Sequence, residues 1–172
     1  MHWPDPDVMY SFSLNADSKF SAARISPLWL ALERALDFPS AETLAALRRV
    51  IFHQTPGRVR TSLNRLKVPD SMQYPLGLAA SRGALEVVEL LLEGGARVEG
   101  NRRWLSPLHE AAFGGERVHL QIIERLLAKG ACVEGKCLVG DDTPLMTATE
   151  NSNVDILTLL LRAGAQVNRT KA

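Results

Sequence analysis

The phrase "SPLHEAAFGG" at residues 106–115 has two near-copies in the chain, "YPLGLAASRG" at 74–83 and "TPLMTATENS" at 143–152. Each is followed by an apolar segment and a glycine-rich close: "LEVVELLLEGGARVEG", "LQIIERLLAKGACVEG" and "VDILTLLLRAGAQVNR". A chain that states two motifs three times in the same order is repeating a structural unit, and this limits its architecture more than any single residue does. The starts lie 32 residues apart from Tyr74 to Ser106, and 37 apart from Ser106 to Thr143. A fainter version, "SPLWLALERA", occupies 26–35.

Each unit reads as two short helices. Ser106 and Thr143 suit a helix N-cap, where a hydroxyl accepts from the first free backbone N–H groups. Pro107 and Pro144 then fall at the first helical position, where a missing N–H costs nothing. The small pairs Ala79-Ala80 and Ala111-Ala112 let a second helix approach closely. Gly83 and Gly115 are expected to end the first helices with positive φ, and Gly95, Gly130 and Gly164 to cap the second. Leu85, Val87, Val88, Leu90, Leu91 and Leu92 surround the second helix of the Tyr74 unit, so it must be covered on more than one side. One helix pair cannot bury that surface alone, whereas stacked pairs can.

This plan resembles the ankyrin repeat, whose Thr-Pro-Leu-His-x-Ala start recurs with a period of about 33 residues. Ser106-Pro107-Leu108-His109-Glu110-Ala111 follows that start with Ser for Thr, and Thr143-Pro144-Leu145 with Ala148 follows it again. The closes "GARVEG", "GACVEG" and "GAQVNR" are similar to the family's Gly-Ala-x-Val-Asn ending. The resemblance covers residues 72–168. It implies an all-α solenoid of stacked helix-turn-helix pairs with projecting turns or β-hairpin loops. It also implies that His109 hydrogen-bonds between neighbouring turns. Two departures stand out. Tyr74 and Gly77 replace the capping Thr and the His, which should loosen the turn before that repeat. The Ser106 unit also carries three extra residues before its closing glycine, expected near Glu116–Val118 between its helices.

The expected organisation is a flexible tail over 1–22 and a repeat domain over 23–172. Within it, 23–55 is either a degenerate repeat or an unrelated helical hairpin capping the stack, with Asp37–Ser40 as a break and a second helix over Ala41–Phe52. A basic, solvated loop is expected over 56–71, carrying Arg58, Arg60, Arg65 and Lys67. Repeats follow at 72–103, 104–140 and 141–172. The last apolar helix, Ile156–Leu161, has no polar repeat behind it, which predicts a continuation of the chain or self-association there.

Composition excludes several functions. The 172 residues carry 20 Lys+Arg against 19 Asp+Glu, a net charge of +1, and only 6% aromatics. That gives no electrostatic or stacking footprint for nucleic acid or an acidic membrane. No apolar run approaches the roughly 18 residues of a transmembrane helix. The acidic, proline-broken start "MHWPDPDVMY" is not a secretory signal, so the cytosol, or the nucleus, is the expected compartment. Asn168-Arg169-Thr170 matches the short glycosylation pattern without such a signal beside it.

Catalytic and metal readings find little support. Cys132 and Cys137 lack the further ligands that zinc needs. Asp141-Asp142 lacks the alternating oxygen ligands of a calcium loop. His2, His53 and His119 are isolated, and no nucleophile–base arrangement surrounds His109. The chain reads as a non-enzyme with no cofactor and no metal.

In the family the turns and first helices line the concave face where partners bind. That placement, carried over by resemblance, selects "NRRWL" at 101–105, "KCLVGDD" at 136–142, and the pairs Ser81-Arg82, Phe113-Gly114 and Glu150-Asn151, with Glu33-Arg34 a weaker equivalent. The expected contact residues are Arg82, Arg102, Arg103, Trp104, Phe113, Leu138, Val139 and Glu150. Tryptophan and arginine dominate binding energy at interfaces, and Arg102 and Arg103 can pair with carboxylates. The rival is that Trp104 folds down on the adjacent turn. The function implied is binding a protein partner. An alternative is the substrate-recognition part of a ubiquitin-ligase adaptor of the SOCS-box type, whose C-terminal box of leucine-rich helices is missing here.

Overall fold

The structure, a computed structural model, describes residues 27–53, 56–65, 74–99, 105–135 and 142–168. Within them the chain forms helices α1 (Pro27–Asp37), α2 (Ala41–Phe52), α3 (Pro56–Arg65), α4 (Pro75–Ser81), α5 (Leu85–Glu93), α6 (Pro107–Phe113), α7 (Arg117–Ala128), α8 (Pro144–Glu150) and α9 (Val154–Arg162), and no strand. The expected all-α solenoid is what these residues build. Pro75, Pro107 and Pro144 each open a seven-residue first helix. First helices pack side by side, α4 on α6 and α6 on α8, while α5 packs on α7 and α7 on α9. The core runs between the two layers. Ala79, Ala80, Ala111, Ala112 and Ala148 are fully buried there, beneath Val87, Leu91, Ile122, Ile123 and Leu160.

The caps follow the sequence. Ser106 Oγ accepts from the His109 N–H, and Thr143 Oγ1 from the Met146 N–H. Tyr74 takes the same extended conformation without a side-chain cap bond. Gly95, Gly130 and Gly164 all have φ near +90° (88°, 88° and 92°), the left-handed conformation that ends the second helices. The break at Asp37–Ser40 also holds: α1 stops at Asp37, and Ser40 and Thr43 form a reciprocal capping box for α2.

Three expectations are corrected. Gly115 does not end its helix with positive φ. The chain leaves α6 through Gly114 in an extended conformation (φ −73°, ψ 141°), whereas the equivalent positions Gly83 and Ser152 have φ of 68° and 55°. The three extra residues of the middle repeat lie in the second helix and not in the connection: α7 has 12 residues against nine in α5 and α9. An extra turn of helix satisfies its own backbone hydrogen bonds, which an enlarged connection could not. Finally, residues 56–65 of the expected 56–71 loop are helical. Their anchor is Leu63, 2% exposed, which sits with Ile51 against Gly94 at the end of α5.

Candidate protein-binding face

The first helices bury nearly all of their length, so what they leave exposed is confined to their C-terminal ends. Every residue of α4 from Pro75 to Ala80 and of α6 from Pro107 to Ala112 is buried. The next position is Ser81 in α4, Phe113 in α6 and Glu150 in α8. Phe113 is 51% exposed, Glu150 is exposed, and Ser81 turns its hydroxyl back to the Leu78 carbonyl. The helical packing therefore places Ser81, Phe113 and Glu150 in one row across the stack. Arg82, one residue further on, is exposed and donates to Asp37 of α1 at 2.6 Å. Both side chains keep nearly half their area in solvent, so the pair contributes at most about 1 kcal/mol. The expected contact residues Arg102, Arg103, Trp104, Leu138 and Val139 lie outside the described residues, as does Cys137.

What holds this row rigid is a set of polar links between repeats. His109 is fully buried. Its Nε2 faces the Asp142 carbonyl at 2.8 Å, and its Nδ1 faces Ser106 Oγ at 2.9 Å. A carbonyl can only accept, so Nε2 carries the proton and Nδ1 accepts from the hydroxyl. Burial lowers the pKa of His109 from its ordinary value, opposed by the carbonyl and carboxylate of Asp142 and by Glu99. The inter-turn role that the resemblance implied for His109 is thus present. Gly135 packs flat on this ring, and a side chain there would collide with it.

The sequence reading missed a second set of links. Glu99 Oε1 accepts from the Cys132 N–H and Glu134 Oε1 from the Gln166 N–H. Asn64 of α3 makes the corresponding bond to the Arg97 N–H at 2.7 Å and donates to the Gly95 carbonyl. A third set joins the connections. Asn153 Nδ2 donates to the carbonyls of Ala112 and Gly114, and His119 Nε2 donates to that of Ser81 at 3.3 Å. His119 comes from the first turn of the lengthened α7 and lies over Gly114. The polar residue in the "VEG" close was the available signal for the first ladder; nothing in the local pattern marked His119.

Among the described residues no three His, Cys, Asp or Glu side chains converge as metal ligands, and no helix is long and apolar enough to cross a membrane. A shallow groove of about 390 Å³ is lined by Ala45, Arg48, Arg49, Phe52 and His53, on α2 and just beyond its end.

Comparison with known proteins agrees with this geometry. Relatives include an ankyrin repeat protein, nuc-2, of Neurospora crassa, 34% identical over 101 residues. They also include the ankyrin repeat and KH domain-containing proteins mask-1 of Caenorhabditis elegans, 35% identical over 98 residues, and 1 of Homo sapiens, 41% identical over 95. The matches cover 59%, 56% and 54% of this chain but only 9%, 4% and 4% of those proteins. The chain therefore spans less than a tenth of the length of the relatives it matches. The family model described as ankyrin repeats (3 copies) matches residues 42–137 and 76–171, most of the chain. With its stacked helix pairs and His109 link, the chain belongs to the ankyrin repeat family.

Proposed function

We propose that this chain binds a partner protein through the exposed ends of its first helices and the turns beside them. The contact residues are Arg82, Arg102, Arg103, Trp104, Phe113, Leu138, Val139 and Glu150. The observation that carries the reading is Phe113: a large aromatic half in solvent at the end of a helix that is otherwise buried. A scattered apolar residue needs no explanation, but this one has Arg82 on one side of its row and Glu150 on the other. Aromatic and arginine side chains are the usual anchors of protein interfaces. The helices are already ordered by stacking, so little conformational entropy opposes binding. No step of bond making is assigned, and the relatives are named as repeat proteins and not as enzymes.

The test is affinity capture with quantitative mass spectrometry, comparing wild type with Phe113→Ala and with the Trp104→Ala/Phe113→Ala double variant. A specific partner should lose about tenfold or more in affinity with Phe113→Ala, since a buried aromatic anchor contributes about 2 kcal/mol or more. Equal capture by all three folded proteins would remove this face from consideration.

A further inference from the structure

The chain's positive charge is concentrated at its N-terminal helices. Of the 20 Lys+Arg, six lie between Glu42 and Asp70, a stretch with no Asp or Glu, while the remaining 14 stand against all 19 acidic residues. On α2 this charge borders the shallow groove of Ala45, Arg48, Arg49, Phe52 and His53. Those residues follow the i, i+3, i+4, i+7, i+8 spacing of one helix face, and all five are exposed. Phe52 is 49% exposed, with the Arg48 guanidinium 5.3 Å from its ring centre. Arg48 reaches Glu93 only at 4.0 Å, in solvent, and Arg49, Arg60 and Arg65 make no ion pair among the described residues. An exposed aromatic beside unneutralised guanidinium groups suits a ligand that carries an aromatic ring next to carboxylates.

A segment of that composition precedes α1. Residues 1–18 hold Asp5, Asp7 and Asp17 with no Lys or Arg, and the aromatics Trp3, Tyr10 and Phe12. Proline follows Trp3 and Asp5, which favours extended backbone at both, and in an extended chain Asp5 and Asp7 share one side. The fold brings the entry point of this segment to the groove. Helices α1 and α2 pack on each other across the short connection 38–40, the arrangement of an antiparallel hairpin. With 11 and 12 residues they are nearly equal in length, which sets Pro27 beside the Phe52–His53 end of α2. Residues 19–26, which join the segment to Pro27, reach up to about 26 Å when extended. The whole of α2 is only about 18 Å long, so every groove residue is within reach. Exposed ion pairs contribute little individually, but a segment tethered this closely is presented at an effective concentration on the order of millimolar.

We infer that residues 1–18 dock on the α2 groove of their own chain, with Asp5 and Asp7 on Arg48 and Arg49 and an aromatic side chain of the segment on Phe52. The groove shares no residue with the row of Ser81, Phe113 and Glu150, so the segment and a partner protein do not compete for the same side chains.

The full chain is tested by nuclear magnetic resonance with a nitroxide at Ala46→Cys, beside the groove face of α2, in a Cys132→Ser/Cys137→Ser background. With the native charges the label should broaden the backbone signals of residues 3–12. Asp5→Arg/Asp7→Arg should lower the docked-to-free ratio about tenfold and sharpen those signals. Arg48→Glu/Arg49→Glu should do the same, and combining both pairs of reversals should restore the broadening. Circular dichroism checks folding, because glutamates near the end of α2 oppose the helix dipole. The Asp5→Arg/Asp7→Arg variant leaves every described helix unaltered and decides the matter alone if the α2 reversal unfolds. Signals of residues 3–12 that are equally broad, or equally sharp, with native and reversed Asp5 and Asp7 overturn the proposal. A folded fourfold reversal that fails to recover the broadening overturns the pairing of Asp5 and Asp7 with Arg48 and Arg49. Nitroxide-bearing chains are also mixed with isotope-labelled chains that lack the nitroxide. Broadening of the isotope-labelled signals in that mixture places the segment on a second copy and overturns docking within one chain.

Discussion

At His109 a buried ring joins the cap of its own helix to the turn of the next repeat, so its ionisation is linked to folding. The unfolded chain takes up a proton near 6.5, while the folded chain, desolvated around the ring, does so only at lower pH. In that window the unfolded state binds more protons, and stability rises with pH. The contribution is complete above 6.5 and is lost as pH falls through the folded value. Protonation would also put a donor at Nδ1, where the Ser106 hydroxyl must then reverse its role. His109→Gln keeps a donor for the Asp142 carbonyl but cannot titrate in this range. The expected outcome in thermal melts is that wild type loses more stability below pH 6.5 than His109→Gln does; parallel pH profiles for the two would sink the account. The role of His109 was legible because a six-residue motif carries it. The role of His119 was not, because it depends on where the lengthened α7 begins.

The helix pairs themselves were readable where proline, hydroxyl cap and closing glycine coincide, since each of these acts within one turn of chain. The N-terminal pair was readable for the same reason, through the Asp37–Ser40 break. Helix α3 was not. Its ten residues carry one buried apolar side chain among the described ones, so periodicity had nothing to register. The available hint was Thr55-Pro56, the same polar–proline start that opens the other first helices. Helix α3 is held by Leu63 against Ile51 and Gly94 and by Asn64 on the Gly95–Arg97 backbone. Both contacts are tertiary, made more than 30 residues away in the case of Asn64. Leu63→Ala is expected to cost about 2 kcal/mol and Asn64→Ala about 1 kcal/mol. Either should release α3 without displacing α2, whose Leu47 and Ile51 stay buried by other contacts. Hydrogen exchange at 56–65 checks this: early exchange there, with α2 still protected, is the expected result. Simultaneous loss of α2 would mean that α3 is integral to the pair. The row of Ser81, Phe113 and Glu150 was legible in part for a related reason. Sequence register places Phe113 and Glu150 in it, but the ion pair of Arg82 with Asp37 depends on how α1 seats in the fold.

Among the described residues the main contacts of each helix pair are with its neighbours, and the Tyr74, Ser106 and Thr143 repeats meet through the same kinds of link: first helix on first helix, second on second, and carboxylate to backbone between the closing turns. Stability in such a stack is a sum of unit and nearest-neighbour terms. A fixed chemical loss should therefore have consequences that depend on position. Leu91 and Leu160 occupy equivalent places in α5 and α9, and both are fully buried. Leucine to alanine at either removes the same methyl groups and costs about 2–5 kcal/mol. At Leu160 the loss falls on a pair whose one neighbour among the described residues is α6–α7. Helices α8 and α9 can then open while the rest keeps its contacts, and exchange should rise there alone. At Leu91 the pair lies between the N-terminal unit and α6–α7, and opening it breaks both of its interfaces. Exchange should then rise across α1 to α7, and cooperative unfolding should weaken as a whole. Exchange followed by mass spectrometry separates the two patterns. Equal, uniform loss of protection in both variants would show that coupling between neighbouring repeats exceeds the cost of either cavity. The stack would then behave as one cooperative unit despite its one-dimensional contacts.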